Sequence, residues 1–355
     1  MARGIIVGCA TMDLRRALDW RPPENWHRLS VIEAHTGGEP FRVVVDGLPH
    51  LPGSTVLERR RHAQENFDDL RRALMWEPRG HADMYGGWPG PPTSANGDIS
   101  VLFLHNEGFS TMCGHGVIAL AKVVLDTGIL PATSPATVLL IDTPAGQVET
   151  TSRVSEDRVT GTRFKNVPSF VAGLDETIDV PGIGQVVYDL AFGGAFYAIV
   201  DAPRLGLALD NATGLIAAGR SIKSAIVSAR TITHPESTDL GFLYGVIFTG
   251  PPAFDGNHSR NVCVFADGEV DRSPTGTGLS SRLAVLYERG EVSVGASVTI
   301  ESIVGSTFTG EIVDTTTVGD YGAVISQVGG SAQITGRAEL WIDPEDVLGK
   351  GFLVR

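Results

Sequence analysis

Cysteine is scarce in this chain: three residues, Cys9, Cys113 and Cys263, among 355. So few thiols exclude a disulfide scaffold, and their wide spacing matches no zinc signature. Positive charge is also in deficit, with 28 basic against 41 acidic residues and a formal net charge of −13. With no basic stripe to displace counterions, nucleic acid is not an expected partner. Long apolar runs are missing too. Nothing approaches the ~20 residues of a membrane span, and Gly4–Ala10 is too short and badly flanked for a secretory signal. These absences describe a reduced, soluble, cytoplasmic protein without a membrane or metal partner.

Glycine, by contrast, is plentiful at 43 residues, with 20 prolines. That composition predicts many tight turns and a β-rich structure with short connections. A length of 355 residues exceeds one ordinary core and predicts two domains.

Two glycine-bracketed loops stand out: Met112-Cys113-Gly114-His115-Gly116 and Pro274-Thr275-Gly276-Thr277-Gly278. Each opens an amphipathic run, and helices are expected over Val117–Thr127 and Leu279–Arg289. A side chain at a helix N-terminus meets unpaired N–H donors and a field that favours negative charge. Such a setting binds carboxylates and is expected to lower the pKa of Cys113.

The loops belong to a longer internal repeat. His35-Thr36-Gly37-Gly38 leading to Asp46 recurs as Phe192-Gly193-Gly194 leading to Asp201, and Asp83-Met84-Tyr85-Gly86 as Phe242-Leu243-Tyr244-Gly245. After the loops, Val138–Asp142 parallels Val298–Glu301, and Thr160-Gly161 is matched with Thr335-Gly336. Landmarks kept in order predict two copies of one unit of roughly 150 residues. The expected division is a loosely ordered extension over 1–28, a first lobe over 29–185 carrying Cys113, and a second over 186–339 carrying Asp271 and Thr275. Residues 340–355 are expected to pack back onto the first lobe, and the site to lie between lobes. Strands are expected at Val138–Ile141, Gln185–Ala191, Val262–Phe265 and Ser297–Glu301, an exposed helix over Val56–Met75, and a loop near the site over Trp88–Asn96. The Arg59-Arg60-Arg61 run is expected on a solvated face, with His35 and His81 approaching the pocket.

The residues 112–116 and 271–278, with His35–Pro40 and Gly193–Tyr197, resemble the signature stretches of the proline racemase family. The resemblance runs from about residue 29 to the C-terminus. It implies an α/β fold like that of diaminopimelate epimerase: two pseudo-symmetric lobes, each a curved, mostly antiparallel sheet around a central helix. It also implies catalysis without a cofactor by a cysteine in each loop. Backbone N–H groups at Gly114, His115, Gly276 and Thr277 would hold the substrate carboxylate, and Asp271 the ring ammonium.

This chain departs from that pattern at Thr275. A threonine hydroxyl with no activating base is too weak an acid to exchange protons near neutral pH. The Cys113/Thr275 combination is similar to the branch that dehydrates trans-3-hydroxy-L-proline to pyrroline-2-carboxylate. In that isomer the 3-hydroxyl and the α-hydrogen share a ring face, so one acid/base on that face suffices. Cys113 is expected as the base, with Thr275 hydrogen-bonding substrate or leaving group. Two other readings are a racemase or epimerase of proline or 4-hydroxyproline, and a silent amino-acid-binding protein. A small-molecule substrate and a homodimer are compatible with all three.

Overall fold

The structure, a computed structural model, describes residues 13–354. Cys9 and the Gly4–Ala10 stretch lie outside the described residues. A helical turn, α1 (Arg16–Asp19), comes first. The first repeat then runs β1 (His27–Thr36), β2 (Glu39–Asp46), α2 (Val56–Asn66), α3 (Asp68–Met75), β3 (Tyr85–Gly90), β4 (Ile99–His105), β5 (Gly108–Ser110), α4 (Gly114–Asp126), β6 (Ala136–Thr143), β7 (Gly146–Ser155), β8 (Arg158–Lys165) and β9 (Ser169–Val180). The second runs β10 (Gly184–Phe192), β11 (Phe196–Asp201), α5 (Ala212–Ala229), β12 (Leu243–Gly250), β13 (Ser259–Phe265), β14 (Glu269–Val270), α6 (Gly276–Glu288), β15 (Ser297–Glu301), β16 (Thr307–Val318), β17 (Tyr321–Gly330) and β18 (Ala332–Ile342).

The two copies share a topology. β2 runs parallel to β3 and β4 to β6, as β11 does to β12 and β13 to β15; the other paired strands are antiparallel. Register is kept as well: Ile99↔Ile141 and Ser100↔Asp142 are repeated by Ser259↔Ile300 and Arg260↔Glu301. Each sheet wraps one helix. α4 is buried from Gly114 to Leu125, and α6 through most of its length. A helix apolar on nearly every side has to be the centre of a core. Its one long charge, Lys122, is paired with Asp126 at 2.5 Å and donates to the Val159 carbonyl, as a buried charge requires.

The lobes exchange strands. β9 pairs with β10 and packs on α6, whereas β18 pairs with β1 along its whole length. The division expected at 185/186 is therefore corrected: residues 169–180 join the second lobe and 332–342 the first. The chain passes between lobes twice, and β17 pairs with both β8 and β9. This also corrects one landmark, since Thr160 lies in β8 but Thr335 lies in β18, the counterpart by order of β9.

Four local expectations change. The helix expected over 56–75 is broken at Phe67 (φ −133°, ψ 22°), which ends α2 and starts α3. The Arg59–Arg61 run is only partly a solvated face: Arg61 is exposed and pairs with Asp239 of the other lobe at 2.7 Å, but half-buried Arg59 donates to the Pro91 carbonyl and buried Arg60 to that of Phe109. Trp88, Pro89 and Gly90 lie in β3 and line a separate cavity with Arg59 and Leu48. In the 13–28 segment, β1 already begins at His27, and Trp20 packs against Trp26 and Trp341.

Candidate active site

The two central helices meet end to end. A Cβ on Gly114 would stand 2.6 Å from the Gly276 Cα, so only glycine permits this approach. The first-turn N–H groups of both helices, at Gly114, His115, Gly276 and Thr277, have no i−4 carbonyl within their helix, and the four residues line one cavity. An anion is favoured there.

The side chains capping the helices behave differently. Cys113 is extended (φ −147°, ψ 107°), and its sulfur accepts the Gly116 N–H at 3.2 Å. Thr275 has φ +66°, a left-handed conformation that is an outlier for a β-branched residue. Its backbone is held there by hydrogen bonds from Leu279 N–H to the Thr275 carbonyl and from Thr275 N–H to Ser273 Oγ. The Thr275 hydroxyl does not cap the helix and makes no hydrogen bond of good geometry among the described residues, though it lies near enough to Asp271 and Cys263 to lower the pKa of both.

Between them lies a tight cavity, closed down to about the room of a single water, lined by Tyr85, Met112, Cys113, Gly114, His115, Tyr197, Tyr244, Phe265, Asp271, Thr275, Gly276 and Thr277. Cys113, Gly114, His115, Asp271, Thr275, Gly276 and Thr277, the residues expected to do chemistry or bind substrate, all lie in this wall. Burial pushes the Cys113 thiol well above its usual pKa; the Gly116 N–H opposes the rise, and the nearby Asp271 and Glu39 carboxyls add to it. The expectation that the helix end would lower this pKa is thus corrected. One N–H to sulfur bond does not outweigh removal of the thiolate from water.

His115 sits with a ring nitrogen 3.3 Å from the Cys113 sulfur. Burial drives its pKa down to about 3, and its ring bonds the Pro40 carbonyl, so the imidazole is neutral. Asp271 accepts the Ser273 N–H at 2.7 Å, and burial raises its pKa to about 6. Behind it, buried Glu39 accepts the Arg272 N–H at 2.6 Å, and burial together with Asp271 pushes its carboxyl up. Arg272 in turn bridges lobes to Asp83 at 2.7 Å.

His35 and His81 do not line the cavity. His35 Nδ1 accepts the Gly38 N–H, and His81 bonds the Ala82 carbonyl. The residues that sequence reasoning missed are aromatic: Tyr85, Tyr197, Tyr244 and Phe265. A signal was present, because Tyr85 and Tyr244 occupy the same place in two repeated landmarks. Among the described residues, no three or more His, Cys, Asp or Glu side chains cluster as metal ligands would, and no helix is long and apolar enough to cross a membrane.

Comparison with known proteins places this geometry. A trans-3-hydroxy-L-proline dehydratase of Burkholderia ambifaria is 47% identical over 329 residues, covering 92% of this chain and 98% of that protein. A 3-hydroxyproline 2-epimerase of Burkholderia multivorans is 46% identical over the same length and coverage. The crystal structure of a hydroxyproline epimerase from Agrobacterium vitis, with bound trans-4-hydroxy-L-proline, superposes with a TM-score of 0.89 at 31% identity, over 94% of this chain and 96% of that one. The family described as proline racemase matches residues 31–353. The chain belongs to the proline racemase family.

Proposed function

We propose that this protein is a hydro-lyase that dehydrates trans-3-hydroxy-L-proline to pyrroline-2-carboxylate, with Cys113 taking the α-proton. One observation carries the reading: the cavity presents an acid/base, Cys113, on one side and an alcohol, Thr275, on the other. The relatives named as dehydratases, alike over nearly the whole chain, support it.

The substrate carboxylate sits at the joined helix ends, where the N–H groups of Gly114, His115, Gly276 and Thr277 also stabilise the charge that spreads into it on deprotonation. The ring ammonium faces Asp271. This pairing changes Cys113. The negative charge of Asp271 helps hold the thiol protonated, so a cation beside Asp271 removes part of that penalty and favours the thiolate when substrate is bound. The base is armed by the molecule it attacks. Thr275, with no proton to exchange near neutral pH, binds without reprotonating the far face, and elimination follows in place of inversion. The reaction needs no cofactor and suits a soluble cytoplasmic enzyme.

The epimerase reading is kept in view by the relative of that name. The test is incubation with trans-3-hydroxy-L-proline, its cis isomer and L-proline in deuterium oxide. Pyrroline from the trans isomer alone is expected. D-proline, or a hydroxyproline inverted at C2, in place of pyrroline would establish the racemase or epimerase reading, and no product from these three or from trans-4-hydroxy-L-proline would leave only a binding protein.

A further inference from the structure

The mechanism above leaves the cavity tyrosines unused. Tyr85 is the first residue of β3 and Tyr244 the second of β12, at matching places in the repeated landmarks, and their hydroxyls meet at 3.0 Å across the lobe interface. The Tyr85 oxygen also bonds Ser110 Oγ at 2.5 Å. Both tyrosines are buried and both line the cavity beside Cys113. The Tyr85 hydroxyl lies near enough to the Cys113 sulfur to oppose the rise of its pKa, and both line the same cavity. Tyr197 is committed elsewhere, to Thr277 Oγ1 at 2.7 Å. His115, the other group at the sulfur, is neutral and bonded to the Pro40 carbonyl.

Elimination creates a demand for a proton at this place. Hydroxide is a poor leaving group, and in the trans isomer it departs from the ring face that carries the α-hydrogen. That face is the one turned to Cys113, and Tyr85 stands next to it. We propose that Tyr85 is a further catalytic residue, whose hydroxyl protonates the departing 3-hydroxyl and is then reprotonated by the Cys113 thiol. Tyr244 and Ser110 are positioning residues that hold the Tyr85 oxygen.

The proposal rests on the dehydratase reading. The Cys113 thiolate forms an S–H bond as the Cα–H bond breaks, and the C–H electron pair becomes the C2=C3 π bond. The C3–O bond breaks, its pair leaves with oxygen, and oxygen takes the Tyr85 proton to depart as water. The tyrosinate then takes the thiol proton, which restores the thiolate. The sum is loss of water with the protein unchanged. Burial keeps the Tyr85 hydroxyl protonated, and the Ser110 and Tyr244 hydroxyls oppose that rise, as groups that donate to a transient tyrosinate do.

The experiment changes the leaving group. Fluoride is a far weaker base than hydroxide and departs without a proton. Tyr85→Phe is expected to lower kcat on trans-3-hydroxy-L-proline by about 10²-fold or more, the range of general acid catalysis, yet by less than about fivefold on trans-3-fluoro-L-proline. Tyr244→Phe is expected to fall between wild type and Tyr85→Phe on the hydroxy substrate only. Equal losses on both substrates would mark Tyr85 as structural and overturn the proposal, as would undiminished dehydration. A wild-type enzyme that eliminates fluoride but never water would instead defeat the dehydratase reading itself.

Discussion

Cys113 and Thr275 hold the same position in two copies of one unit, and their surroundings differ more than their side chains do. Cys113 caps α4 with its sulfur in a relaxed extended backbone; Thr275 starts α6 from a left-handed backbone and caps nothing. The sulfur lies 3.3 Å from a histidine nitrogen and accepts a backbone N–H, whereas the threonine hydroxyl makes no hydrogen bond of good geometry among the described residues. The scaffold is symmetric down to strand register. Apart from the helices between the second and third strands of each copy, the frame repeats, and the difference that bears on chemistry is in the groups that could handle protons.

The largest test of that contrast removes the sulfur. Cys113→Ala is expected to lower kcat by about 10³-fold or more, while Thr275→Ala costs less than about tenfold, the loss of a single hydrogen bond. Comparable losses would refute the division of labour. Because burial raises the Cys113 thiol, kcat/KM of the wild type is expected to climb with pH above neutrality.

Asp271→Asn comes next. With no partner for the ring ammonium, KM is expected to rise by about 30-fold or more, the order of a buried charge-assisted hydrogen bond. Stability should move the other way. Asp271 has a folded pKa of about 6 against 3.8 for its ordinary value, so between those values the folded state holds a proton that the unfolded state has lost. The group therefore destabilises the fold as pH rises, fully so above pH 6, by up to about 3 kcal/mol. Denaturant melts of Asp271→Asn should show that gain at pH 7.5 and none near pH 4. A variant no more stable than wild type at pH 7.5 would mean that the carboxyl is not held in a penalised state.

Much of this was legible in the sequence, for reasons that differ by element. The starts of α4 and α6 were readable because a Gly-X-Gly loop before an apolar run has few other outcomes. The strand exchange was not, since an alternating segment such as 169–180 says which side chains face a core but not whose core. α5 carries a weaker signal, with Leu215, Ala218, Gly219, Ile222 and Ile226 giving one helical face that no repeated landmark marks. The raised Cys113 pKa was out of reach for a deeper reason. A helix end is a local property visible in sequence, whereas desolvation depends on the opposing lobe. The tyrosines were visible as repeat landmarks but carried no chemistry until the fold brought 85 and 244 together.

Where the lobes are alike, effects should be alike, and one carboxylate in each provides the smallest and sharpest check. Asp142 follows β4 through its register partner Ser100 and accepts the N–H groups of Thr93 and Ser94 at 2.7 and 2.8 Å. Glu301 follows β13 through Arg260 and accepts those of Ala253 and Phe254 at 2.7 and 2.9 Å. Each pins the loop before a strand to the strand that follows the central helix. Burial works against both carboxylates, but the hydrogen bonds outweigh it and hold both pKa values below the ordinary range. Groups so lowered stabilise the fold above the unfolded pKa and lose that contribution as pH falls through the folded value. Asp142→Asn and Glu301→Gln should each cost about 1–3 kcal/mol at pH 7, because an amide keeps one acceptor of the two. Both should leave the Cys113 chemistry intact, with kcat within about twofold of wild type, as expected for sites away from the reacting groups. If one substitution abolished dehydration while the other changed only the melting curve, the repeat would be asymmetric in its frame as well as in its loops, and the contrast between Cys113 and Thr275 would lose its symmetric background.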